Sequence, residues 1–269
     1  GKDCPAITLG IRGITTFELT VSGPHNDLHS GTHGGVVYNP IHALNKILSS
    51  LHSENGEVAI PGFYDDVKEF IDKDLKSINF DFFSDDLYKK MTGVSPKGGE
   101  HKYSPGVRGT VRPTLEVNGI VGGYIQDGFK TVIPKEAKAK FSCRLVSGQD
   151  PDKVTKLVAK HIDSYKIPGI KVHLECHDGR GPAVMTAPDA KLATVAKGAY
   201  EKTFSKPCSY ILMGGSIPIT HAIAKTSGAE ILILGTAIES DLVHAPNEHF
   251  SWDRFQKGFS IIANILSSL

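Results

Sequence analysis

Four short stretches of this chain bring together residue types that can do chemistry. His25, His29 and His33 recur every four residues, two of them inside Leu28-His29-Ser30-Gly31-Thr32-His33-Gly34-Gly35. On a helix that spacing would line three imidazoles along one face, as a zinc site needs. Gly31, Gly34, Gly35 and the preceding Gly23-Pro24 argue for a loop instead, and no H-E-x-x-H signature is present. Arg144, in Phe141-Ser142-Cys143-Arg144-Leu145-Val146, carries a guanidinium fork suited to a carboxylate, although by pattern alone it reads as an exposed strand residue. Gly214-Gly215-Ser216-Ile217-Pro218 joins a glycine turn to a hydroxyl and to helix-start N–H groups, a combination that suits an anion. His244-Ala245-Pro246-Asn247-Glu248 offers one imidazole, and one imidazole cannot hold catalytic zinc, which takes three protein ligands and a water. Glu248 reads as a supporting or helix-start carboxylate ahead of Trp252. Ser216 with His244 would evoke a serine hydrolase, but no G-x-S-x-G elbow supports one.

The elements that must position these groups follow from hydrophobic periodicity. Thr15 to Val21 alternates with the strand period after a β-branched run from Pro5 to Ile11. Asn39-Pro40 then opens a helix as N-cap and first helical residue, with Ile41, Leu44, Ile47, Leu48 and Leu51 at helical spacing and Asn55-Gly56 closing it. From about 55 to 112 the pattern is irregular apart from a helix predicted over 65–78, and the stretch reads as an insertion. Strands return at 113–117 and 137–146. Asp150-Pro151-Asp152 starts a helix with Val154, Leu157, Val158 and Ile162 on its face, and 171–175 is a strand. Strand, helix, strand, strand, helix, strand is the ferredoxin-like order, which puts two helices on one face of an antiparallel sheet. Beyond Asp178 the rhythm becomes helix 188–204, strand 209–212, helix 218–226, strand 230–234 and helix 252–269, the alternation of a parallel α/β sheet with too few strands for a whole one.

Composition excludes several classes. Lys and Arg number 30 against 29 Asp and Glu, so net charge gives no support to a nucleic-acid or membrane partner. No apolar run approaches a membrane span. The four cysteines are widely spaced and form no C-x-x-C pair, which reads as reduced thiols rather than a disulfide scaffold. The residues from Gly1 to Pro5 have no signal-peptide layout.

The motifs Gly10-Ile11-Arg12-Gly13, Leu28 to Gly35, Asn39-Pro40, Thr131-Val132-Ile133-Pro134, Arg144, Gly214 to Pro218 and His244 to Glu248 occur in the order found in one family. Together they resemble the dinuclear-zinc metallopeptidases of the carnosinase, cytosolic dipeptidase and aminoacylase type. The resemblance implies an α+β ferredoxin-like dimerisation (lid) domain over 12–176 with an insertion at about 55–112. It is flanked by 1–11, the end of a catalytic-domain segment, and by 177–269, the C-terminal part of an α/β zinc-peptidase catalytic domain. It implies that His29 reaches into the active site of the partner subunit to polarise the scissile carbonyl. It further implies that Thr131, Arg144, Gly215 and Ser216 bind substrate and that His244 is a ligand to one of two zinc ions. The family's His-x-Asp pair, bridging Asp and Glu-Glu pair have no counterpart in this sequence. The expectation is therefore a C-terminal portion of a cytoplasmic, homodimeric dipeptidase, inactive alone and lacking an N-terminal catalytic segment. The alternatives are a non-catalytic dimerisation fragment and a deacylase acting on N-acyl amino acids. Leu212-Met213 stand where many relatives carry a charged residue, which leaves substrate preference open.

Overall fold

The computed structural model describes residues 4–69, 76–80, 84–243 and 245–269. The alternation between Gly13 and Ser22 produces a ten-residue strand, β2, which follows β1 (Ala6–Ile11) after the single residue Arg12. Strands β3 (Leu28–His29) and helix α1 (Ser30–His33) form the histidine-bearing segment, and α2 (Pro40–Ser49) follows. The Asn39 side chain accepts the Ile41 N–H at 2.9 Å, satisfying one of the orphan donors at the helix start. The helix ends at Ser49, six residues before the predicted stop at Asn55-Gly56, because Ser50 already turns its N–H and hydroxyl onto Ile47 O.

Two short helices, α3 (Asp85–Thr92) and α4 (Pro105–Thr110), lie in the irregular stretch. Of the helix predicted over 65–78, residues 65–69 are turn and coil, and 70–75 lie outside the described residues. Strands β4 (Thr114–Gly122), β5 (Val132–Ile133) and β6 (Glu136–Leu145), helix α5 (Pro151–Asp163) and β7 (Lys171–Cys176) come next. The spatial order β4-β6-β2-β7, antiparallel throughout, with α2 between β2 and β4 and α5 between β6 and β7, is the ferredoxin-like arrangement. Its core forms on one face only. Phe17, Leu19 and Val21 of β2 meet Ala43, Leu44 and Ile47 of α2 and Val154, Val158 and Ile162 of α5, all buried. Phe17 and Phe141, directly paired across β2 and β6, stack with centroids 4.9 Å apart.

The remaining elements are β8 (Val184–Met185), α6 (Lys191–Phe204), β9 (Ser209–Met213), α7 (Ile219–Ser227) and α8 (Trp252–Ser268). They join β1 in a three-stranded sheet ordered β8-β1-β9, in which β1 and β9 run parallel and β8 antiparallel. Ala193, Ala196 and Tyr200 of α6 and Ile261 and Ile265 of α8 bury this sheet's Ile7, Leu9 and Leu212. The strand expected at 230–234 does not form. β1 is already paired with β9 on one side, and on the other Thr186 N–H takes Leu9 O while β8 takes Gly10 and Ile11. Ile233 therefore meets only Thr8, in one antiparallel bridge.

Candidate functional site

The three histidines do not share a helical face. His25 lies in a bend, His29 in β3 and His33 in the last turn of the four-residue α1. His29 is instead a helix cap: its Nδ1 accepts the Gly31 N–H at 3.1 Å. An accepting Nδ1 leaves the proton of the neutral ring on Nε2. Thr131 Oγ1 lies 3.4 Å from that Nε2, while Ser30 N–H donates to Thr131 O at 2.9 Å. The paired strands β3 and β5, with His29 opposite Val132, carry the two side chains together on an exposed ribbon. The ribbon thus presents an exposed imidazole whose Nε2–H faces the Thr131 hydroxyl.

Arg144 and Ser216 form a second pair. Arg144 Nη1 donates to Ser216 Oγ at 2.8 Å, and the Ser216 hydroxyl donates to Gly13 O at 3.0 Å. Arg144 sits near the end of the central strand β6, opposite Ile14 on β2 and Thr114 on β4. The remaining guanidinium donors of Arg144 have no partner among the described residues, so one edge of the fork is free for a carboxylate. Ser216 itself is three residues short of α7, whose cap position Pro218 makes no side-chain bond. Ser216 lies in the glycine-rich turn between β9 and α7, and its bonds to Gly13 O and Arg144 tie that turn to the four-stranded sheet.

That turn is braced by a residue to which sequence reasoning gave no role. Arg12 Nε donates to Gly214 O at 2.9 Å and the Arg12 N–H donates to Gly215 O at 3.1 Å. Gly214 is required there, because a Cβ would stand 2.3 Å from Gly109 O. Burial first and the neighbouring Arg144 second push the Arg12 guanidinium down to about 10, with Glu116 pulling it back up, so it remains a cation at neutral pH. Its signals in the sequence were its place between two strands and in the motif Gly10-Ile11-Arg12-Gly13, neither of which names its partners.

No hydrogen bond joins the His29–Thr131 pair to the Arg144–Ser216 pair among the described residues. His244 lies outside the described residues. Among those described, no group of three His, Cys, Asp or Glu is arranged to hold a metal. Near it in sequence, Glu248 is exposed and does not cap the last helix; Ser251 does, accepting the Arg254 N–H at 3.3 Å. Buried Asp241 is held by both terminal nitrogens of Arg254, and those hydrogen bonds keep its carboxyl down at about 2. All four cysteines are free thiols.

This fold and these motifs define the class. Residues 9–169 match the peptidase dimerisation domain family, M20_dimer, and the chain belongs to it. Over 279 residues the chain is 31% identical to a Cys-Gly metallodipeptidase, dug1, of Schizosaccharomyces pombe, covering 100% of this chain and 57% of that protein. It is 28% identical to the human Beta-Ala-His dipeptidase, covering 96% of this chain and 52% of the relative. Among solved structures, an M20 family metallo-carboxypeptidase from Sulfolobus solfataricus superposes with a TM-score of 0.87 at 29% identity, over 98% of this chain and 60% of that one. The chain spans about half the length of the curated relatives it matches.

Proposed function

We propose that this chain serves a metal-dependent dipeptidase, in which it supplies the dimer contact, the grip on the substrate and one metal ligand, His244, and that by itself it is inactive. The kinship with metallodipeptidases supports the reaction class. The observation that carries the substrate role is the Arg144–Ser216 pair, a charged fork fixed by one hydroxyl with its other edge open. A dipeptide's free C-terminal carboxylate is the natural ligand of that edge. Thr131 and Gly215 adjoin the same two pairs, Thr131 beside His29 and Gly215 within the braced turn. The Nε2–H of His29 is suited to donate to the scissile carbonyl oxygen as charge develops there. The exposed ribbon that carries it favours action on a neighbouring subunit over its own. Edge strand β4, with Val117, Ile120 and Val121 exposed, offers the lid's surface for a homodimer.

The described residues do not by themselves fit a two-zinc site. No helix among them is long and apolar enough to cross a membrane, and the reading retains the cytoplasmic setting expected from the sequence. The test is Arg144→Ala and Arg144→Lys in the complete enzyme, assayed on a dipeptide and on its C-terminal amide. Loss of the carboxylate contact costs about 2–5 kcal/mol in transition-state binding on the acid, falls to nearly nothing on the amide, and is not rescued by lysine. Equal losses on both substrates would reduce Arg144 to a strand residue.

A further inference from the structure

Arg12 is a partly buried charge that the substrate role above does not use. It lies between β1 and β2, at the one-residue connection from the three-stranded to the four-stranded sheet. Its Nε holds Gly214 O at 2.9 Å, its N–H holds Gly215 O at 3.1 Å, and the next residue's carbonyl, Gly13 O, receives the Ser216 hydroxyl at 3.0 Å. Three consecutive residues of the turn are thus tied to Arg12 or its neighbour. Ser216 then receives Arg144 Nη1 at 2.8 Å. The other end of the brace is also anchored. Arg12 Nη1 donates to Arg112 O at 3.2 Å, and the Arg112 guanidinium is fixed by Glu100 on two sides, by Glu69, and between the rings of Tyr103 and Tyr64.

A brace of this kind could be made without a charge. Arg12 nevertheless has no ion pair with a carboxylate among the described residues, and its partners are peptide carbonyls. A second guanidinium, that of Arg144, stands close enough to oppose its protonation. Two partly buried like charges at one turn cost free energy that an arriving anion would relieve.

We propose that Arg12 is a positioning residue for carboxylate recognition: it fixes the Gly214–Ser216 turn so that Ser216 aims the open edge of Arg144, and its charge adds to the field that draws the substrate's carboxylate. This rests on the reading of Arg144 as the carboxylate anchor.

The test compares Arg12→Gln, Arg144→Ala and the double variant of the complete enzyme on a dipeptide and its C-terminal amide. Arg12→Gln should lose on the order of 10-fold in kcat/KM on the acid, mostly through KM, and much less on the amide. The double variant should lose far less than the product of the two single losses, since both changes act mainly on one contact. If Arg144→Ala loses the preference for acid over amide while Arg12→Gln keeps it, the proposal is overturned and the reading of Arg144 stands. If Arg144→Ala keeps the preference, both are overturned. Should Arg12→Gln not fold, Arg12→Lys carries the same test with a smaller loss, because it keeps the charge but cannot span Gly214 O and Arg112 O together.

Discussion

The four-stranded sheet and the three-stranded sheet differ in how far the helices around them are packed. Around β4-β6-β2-β7 the helix-facing side chains Phe17, Leu19, Val21, Phe141 and Leu145 are at most 1% exposed. Around β8-β1-β9, helix α7 has no buried residue, and α8 shows Trp252, Phe255, Phe259, Ile262 and Leu266 to solvent. Those five recur at intervals of three and four along α8, on the side away from the buried Ile261 and Ile265. A helix with apolar residues on two sides is patterned for two contact faces, and only one is covered here. The helix-covered face of the first region is therefore closed, its apolar exposure lying on edge strand β4, while the second anchors Ser216 on a support whose outer helices leave apolar side chains open.

The largest effect is expected where the two regions are separated functionally. In the complete enzyme, subunits carrying His29→Ala mixed with subunits carrying His244→Ala should recover activity that neither variant has alone, because one mutation removes the residue proposed to act across subunits and the other the proposed metal ligand. No recovery after proven subunit exchange would place both residues in the same subunit's site. A smaller effect sharpens the energetic side. Phe141→Ala should destabilise the chain by about 3–5 kcal/mol through the lost stack with Phe17 and the cavity left behind. Ile223→Ala on exposed α7 should change stability by no more than about 0.5 kcal/mol. Urea unfolding of the two variants measures both, and similar losses would mean that α7 is packed in solution.

The ferredoxin-like sheet was legible because its signals are local. Alternation in 15–21, the Asn39-Pro40 cap and the Asp150 cap each act within a few residues, and the Asp150 side chain does accept the Lys153 N–H at 2.8 Å. The strand at 230–234 was misread because β-branched residues report burial, whereas pairing depends on whether β1 has an open edge. The two-residue strands β3 and β5 gave no periodicity to read. At the site, Arg144 and Ser216 were recognisable as types but not as partners, since 72 residues separate them. Arg12 was invisible as a brace for the same reason, its acceptor Gly214 lying 202 residues away. Long-range contacts of that kind are fixed by topology, and the sequence states them only through glycines such as Gly13 and Gly214, where a Cβ would collide.

The proposal is that these residues hold substrate and partner but do not assemble the hydrolytic centre. The most direct measurement is dipeptide hydrolysis by the purified 269-residue chain, with and without added Zn2+. The account predicts no turnover above the metal-only control under either condition. Zinc-dependent hydrolysis by the chain, abolished by Arg144→Ala and free of contaminating peptidase, would contradict it.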